Sequence, residues 1–174
     1  YKAFLTNGKT ERLSVREAVA AAEAKGFVPY RRGMELKAGD RVYTCNRGKG
    51  LMLAVIGRRS LAEGAQITAA HIDSPRLDLK PSPLYEDSEL AFLKTHYYGG
   101  IRKYQWVTIP LELHGVIARK DGSKLTVAIG AAPGDPMFTV DDLLPHLGAE
   151  QSKKPLGEAI PGESLNLLVG SRPF

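Results

Sequence analysis

The chain has 174 residues, 43% of them hydrophobic, which suits a folded core of one ordinary domain or two small ones and excludes a disordered chain. The net charge of +5 is scattered among acidic residues rather than striped, so no nucleic-acid partner is expected, and no apolar run approaches bilayer length, so no membrane partner is expected either. One cysteine, Cys45, excludes an internal disulfide and, with no basic-then-apolar signal segment at the start, points to a reducing, cytoplasmic setting.

In chain order, Tyr1 to Leu5 reads as the end of a helix with Asn7-Gly8 as its terminator. Ser14-Val15-Arg16-Glu17 has the form of a capping box, and an alanine-rich helix from Val15 to Lys25 is expected behind it. Gly26 stands where a left-handed C-cap belongs, and Val15, Val19, Ala22 and Phe27 suggest one buried face. Arg41 to Asn46 and Leu51 to Gly57 read as strands around the turn Arg47-Gly48-Lys49-Gly50. That glycine-rich turn lacks the P-loop spacing and no helix follows it, so it is a hairpin rather than a phosphate cradle. Leu51 to Ile56 is continuously apolar, as in a strand buried on both faces. Gln66 to Asp73 reads as a further strand, broken by Ser74-Pro75.

Pro81-Ser82-Pro83 is the expected domain boundary, separating residues 1–82 from residues 83–174. Beyond it, Tyr85 to Glu89 reads as an acidic loop, and His96 to Trp106 as an aromatic-rich segment around a glycine bend. Val107 to Arg119 is expected as a strand interrupted by Pro110, with Lys120 to Ser123 as a turn and Lys124 to Ile129 as the returning strand. A short helix is expected from Thr139 to Leu144, ended by Pro145-His146, and a last strand from Ser164 to Val169. The chain opens within a helix-like stretch and stops after a strand-like run, so a piece of a longer polypeptide is expected.

Chemistry concentrates at His71-Ile72-Asp73. In an extended segment residues i and i+2 share a face, so the imidazole and the carboxylate would leave the chain side by side. That layout suits a metal-binding histidine oriented by an aspartate, although an isolated His-x-Asp is more usually a surface pair or a strand-end hydrogen bond. Nucleophilic catalysis has little support, since no Gly-x-Ser-x-Gly elbow is present and Cys45 reads as a buried or half-buried strand thiol. No His-Glu-x-x-His occurs. Of the other histidines, His114 reads as structural, His96 is ambiguous, and His146 is a candidate for projecting outward from a turn. A catalytic zinc needs about three protein ligands, and the scattered acids beyond His71 assemble no full set.

The run Ala70-His71-Ile72-Asp73-Ser74-Pro75-Arg76-Leu77-Asp78-Leu79-Lys80-Pro81 resembles the first metal-ligand segment of the aspartyl aminopeptidase and aminopeptidase I family of dinuclear zinc exopeptidases. The likeness continues in Tyr97-Tyr98-Gly99-Gly100-Ile101 with Trp106, in Leu111 to Ile117, and in Leu143-Leu144-Pro145-His146-Leu147; Lys94 to Trp106 resembles the bacterial branch. The resemblance implies an α/β plus β fold: an α/β sandwich peptidase domain interrupted by a β-rich dimerisation domain. It implies that His71 is a zinc ligand, that Asp73 orients it, and that His146 enters a neighbouring subunit's active site. It also implies two zinc ions, peptide substrates, a homo-oligomer, and further ligands and a general base beyond residue 174, so that this chain alone would be inactive. The competing reading is a β-rich oligomerisation or interaction module without catalysis; a basic nucleic-acid-binding barrel is a distant third.

Overall fold

The computed structural model describes residues 1–173, which divide into two compact units between Ser74 and Pro75. The expected boundary at Pro81 to Pro83 instead lies inside a strand of the second unit.

In the first unit, α1 (Lys2–Asn7) and α2 (Glu11–Glu23) precede β1 (Val28–Pro29), β2 (Arg41–Asn46) and β3 (Gly50–Val55). Helix α2 starts earlier than expected. Thr10 is its N-cap, accepting from the Leu13 N–H at 3.3 Å. Ser14, expected as the cap, is buried within the helix, where its hydroxyl donates to the Gly8 carbonyl at 3.0 Å. A Cβ on Gly8 would lie 2.9 Å from Ser14 Oγ, so only glycine permits this approach. The helix ends as the sequence suggests: Gly26 has φ +82°, its N–H donates to the Glu23 carbonyl, and the Phe27 N–H donates to the Ala22 carbonyl, the two bonds of a Schellman motif. Val15 and Ala22 are buried, and Val19 and Phe27 partly so.

The sheet order is β1-β2-β3, with β1 parallel and β3 antiparallel to β2. The Tyr43 hydroxyl donates to Glu23 at 2.6 Å and so ties the sheet to α2. Strand β3 departs from expectation. It is an edge strand, and Met52, Leu53 and Val55 are exposed rather than buried on both faces. Cys45 is likewise exposed. Residues 66–75 form no strand, because no neighbouring strand takes up their backbone groups among the described residues.

The second unit is mostly β. Strands β4 (Arg76–Asp87), β5 (Leu90–Tyr98) and β8 (Leu167–Gly170) form an antiparallel sheet in the order β4-β5-β8. Between Leu79 and Leu84 the register shifts, and Pro81-Ser82-Pro83 sits in that bulge. An edge strand with a bulge tolerates two prolines that a central strand could not hold. Tyr85 to Glu89 is not an open loop: Asp87 pairs with Leu90 across a two-residue hairpin in which Ser88 and Glu89 have φ of 51° and 62°. Strands β6 (Leu113–Ala118) and β7 (Lys124–Ile129) make a separate hairpin over the expected turn. Strand β6 begins later than the expected Val107, since residues 107–110 turn instead, with Thr108 at φ 60°.

The core gathers Val107, Val140, Ile160, Leu165 and Leu167, with Leu77, Leu93 and Trp106 packed on it. No helix forms over 139–144. Thr139 bridges to Leu168 and Phe138 to Leu111, so their backbone groups are already engaged across the core. The short helices α3 (Ala149–Ser152) and α4 (Leu156–Ala159) follow.

Candidate metal centre

His71 and Asp73 stand at the end of the first unit, on irregular chain rather than on a strand. Their side chains nevertheless turn toward each other. His71 Nδ1 lies 3.2 Å from Asp73 Oδ1 and 3.2 Å from the Asp73 carbonyl oxygen. With the proton on Nδ1, the ring donates to these oxygens and Nε2 keeps its lone pair for a metal. The histidine side chain is 84% exposed and the aspartate 35%, so the ring stands open while its orienting partner is half sheltered.

The donor set is nevertheless short. Among the described residues no group of three His, Cys, Asp or Glu side chains could hold a metal ion. His71 fits one ligand position of a zinc site, oriented as such ligands usually are; it does not make the site. The chain therefore supplies one imidazole and its carboxylate partner.

The other candidates lie in the second unit. His146 is exposed in a turn over residues 145–147, which the Leu147 and Gly148 N–H groups close onto the Leu144 carbonyl at 2.9 and 2.8 Å. His114, read as structural, has Nε2 2.7 Å from Glu112 Oε2 in partly buried surroundings. His96 is exposed on β5 and stacks on Tyr97 with ring centroids 5.6 Å apart. A cluster the sequence reading did not single out lies just past Ser74-Pro75. The Arg76 guanidinium donates to Asp78 at 2.7 Å and lies 4.2 Å from the centre of the Tyr98 ring. Strand alternation puts Arg76 and Asp78 on one face, and that signal was available once 76–80 was read as extended.

Known proteins that resemble this chain bear on what these residues serve. The family model described as aminopeptidase I zinc metalloprotease (M18) matches residues 4–169. A probable M18 family aminopeptidase 1 of Clostridium acetobutylicum is 52% identical over 178 residues, covering the whole of this chain and 38% of that protein. The crystal structure of an M18 family aminopeptidase from Thermotoga maritima superposes with a TM-score of 0.87 at 44% identity, over 99% of this chain and 38% of the other. The aminopeptidase I structure from Clostridium acetobutylicum gives 0.82 at 45% identity, over 97% and 38%. At 17% identity, the mApe1 dodecamer of S. cerevesiae still shares the fold, with a TM-score of 0.70 over 96% of this chain and 36% of that one. The chain thus spans little more than a third of the length of the relatives it matches. With the match running from the first helix to the last strand, the chain belongs to the aminopeptidase I zinc metalloprotease (M18) family.

Proposed function

We propose that this chain is part of a zinc metalloaminopeptidase that removes N-terminal residues from peptides, and that alone it does not turn over. The observation that carries the reading is the His71–Asp73 pair, with the ring's Nδ1 on the carboxylate and Nε2 left for a metal. In this reading His71 is one ligand of a two-zinc site, and Asp73 holds the proton on Nδ1, fixing the tautomer and raising the basicity of Nε2. Zinc, when bound, supplies Lewis acidity toward the peptide carbonyl. The remaining ligands and the general base would come from chain outside these residues. In this reading the first unit, residues 1–74, belongs to the peptidase domain and the second, from Pro75 onward, to an inserted β-rich dimerisation domain. His146, exposed on its turn, would reach a neighbouring subunit's active site and donate to the developing oxyanion. The dodecamer of the distant relative supports assembly into a homo-oligomer. No described helix is long and apolar enough to cross a membrane, and we place the protein in the cytoplasm.

The short donor set favours a second reading, in which the chain acts by assembly alone. The two part on one experiment. The 174-residue chain supplied with zinc should not hydrolyse aminoacyl amides, whereas the same chain continued through the rest of a family-length protein should do so and lose the activity to a chelator. Chelator-sensitive turnover by the short chain, or none by the long one, would refute the enzymatic reading.

A further inference from the structure

The second unit holds a cavity of about 500 Å³ that the reading above leaves without a role. Its volume lies within the range of small-molecule sites. The floor is apolar and opens onto the core, through Val107 and Ile160. Leu143 and Leu147, on either side of His146, supply the wall.

The charged groups at the rim differ in how they are engaged. Asp142 Oδ1 accepts from the Leu143 N–H at 2.8 Å and from Gln151 Nε2 at 2.9 Å. Glu150 accepts from Lys153 Nζ at 2.6 Å. Asp141 and Lys154, both exposed, also line the cavity, and neither side chain has a hydrogen-bond or ion-pair partner among the described residues. The cavity therefore presents one unengaged anion, one unengaged cation and an aliphatic wall.

A ligand that answers all three carries an ammonium, a carboxylate and a branched aliphatic side chain. The geometry points to a binding site for a free aliphatic α-amino acid, its ammonium on Asp141, its carboxylate on Lys154 and its side chain against Leu143, Leu147 and Ile160. Such an amino acid is what an aminopeptidase releases, so the site would sense product; that role, but not the binding, rests on the function proposed above. A ligand seated between Leu143 and Leu147 holds the His146 turn from both ends. Both charges stand in water, so each contact is modest and a dissociation constant on the order of 1 mM is expected.

The test is titration of the isotope-labelled 174-residue chain by amide NMR, with a chelator present throughout. L-leucine should saturate, with shifts centred on residues 141–164. Glycine, which lacks the side chain, should bind about tenfold more weakly. Leucinamide and 4-methylpentanoate each lack one charge and should bind roughly threefold to fivefold more weakly. Asp141→Asn and Lys154→Met, both at exposed positions whose spectra report folding directly, should each weaken leucine by a similar factor. His71→Ala should leave leucine binding unchanged. Equal affinity for glycine and leucine, full-strength binding by both rim variants, or shifts that fall elsewhere would overturn the site. Leucine binding in a protein without peptidase activity would remove only the product-sensing role, and peptidase activity without leucine binding would remove only the site.

Discussion

His71 Nδ1 and Asp73 Oδ1 meet at 3.2 Å without a strand to align them. The pair is local, two residues apart, and the ring also reaches the Asp73 backbone carbonyl. If His71 ligates zinc in the family-length protein and Asp73 orients it, the two side chains would have separable roles. His71→Ala should lose metal occupancy and turnover together. Asp73→Asn should retain most of the metal and lose about 10–100-fold in rate, the usual cost of removing a ligand's orienting partner. Metal content by atomic absorption, set against kcat, separates the two; complete metal loss in both variants would count against distinct roles.

His146 projects from a turn in the second unit, on a loop with exposed leucines at 143, 144 and 147. If it serves a neighbouring subunit, His146→Ala should lower turnover by about 10²–10³, as for a lost oxyanion donor, and leave metal content unchanged. Mixing His146→Ala subunits with Asp73→Asn subunits should then restore part of the activity, because some interfaces pair an intact metal site with an intact histidine. Demonstrated mixed oligomers without recovery would mean that His146 acts within its own chain or only structurally.

Local signals read well from this sequence, and signals that depend on partners did not. The C-terminal signature of α2, the hairpin from β2 to β3 and the turn at Lys120 to Ser123 are short-range, and the structure has all three. The apolar run of β3 has the composition of a buried strand, but composition does not specify what lies against it, and β3 is an exposed edge. Thr139 to Leu144 has a helix-like beginning, yet Phe138 and Thr139 bridge to residues distant in sequence, a tertiary demand that overrides weak propensity. The prolines at 81 and 83 read as a boundary because proline is so often punctuation; the register shift at an edge strand is visible only once the pairing is known. At the site, i,i+2 spacing sufficed to bring His71 to Asp73 even though the strand assumed for it is absent.

Lys80 and Glu163, far apart in sequence, join β4 to the turn before β8 through a 2.5 Å contact. The hydrogen bond from Lys80, then its charge, hold the Glu163 carboxyl below the usual glutamate range, with a smaller contribution from His96. A depressed folded-state pKa stabilises the fold above the ordinary glutamate value, and the contribution is lost as pH falls through the depressed one. Glu163 should therefore titrate at lower pH than a free glutamate in side-chain carboxyl NMR. Lys80→Met should return it toward the ordinary range and flatten that part of the acid limb of stability. An unchanged Glu163 titration in the variant would show that the contact does not persist in solution.

The hairpin between β4 and β5 turns on two non-glycine residues, Ser88 at φ 51° and Glu89 at φ 62°. Positive φ at both central positions is the signature of a type I′ turn, which matches the twist of the flanking strands and favours Asn-Gly. Each L side chain there costs about 1–2 kcal/mol, which glycine avoids, at the expense of about 0.5–1 kcal/mol of extra chain entropy in the unfolded state. Ser88 also donates to Asp87 at 3.1 Å, an exposed bond that asparagine can replace by bonding its own backbone. The double change Ser88→Asn with Glu89→Gly should stabilise the second unit by about 1 kcal/mol, raising its melting midpoint by roughly 4–8 °C. Glu89→Val should move it the other way by a similar amount, since a β-branched side chain tolerates positive φ least. Circular dichroism melts of the three proteins check both signs at once. A stabilising Glu89→Val would mean that the chain does not turn through positive φ at this position.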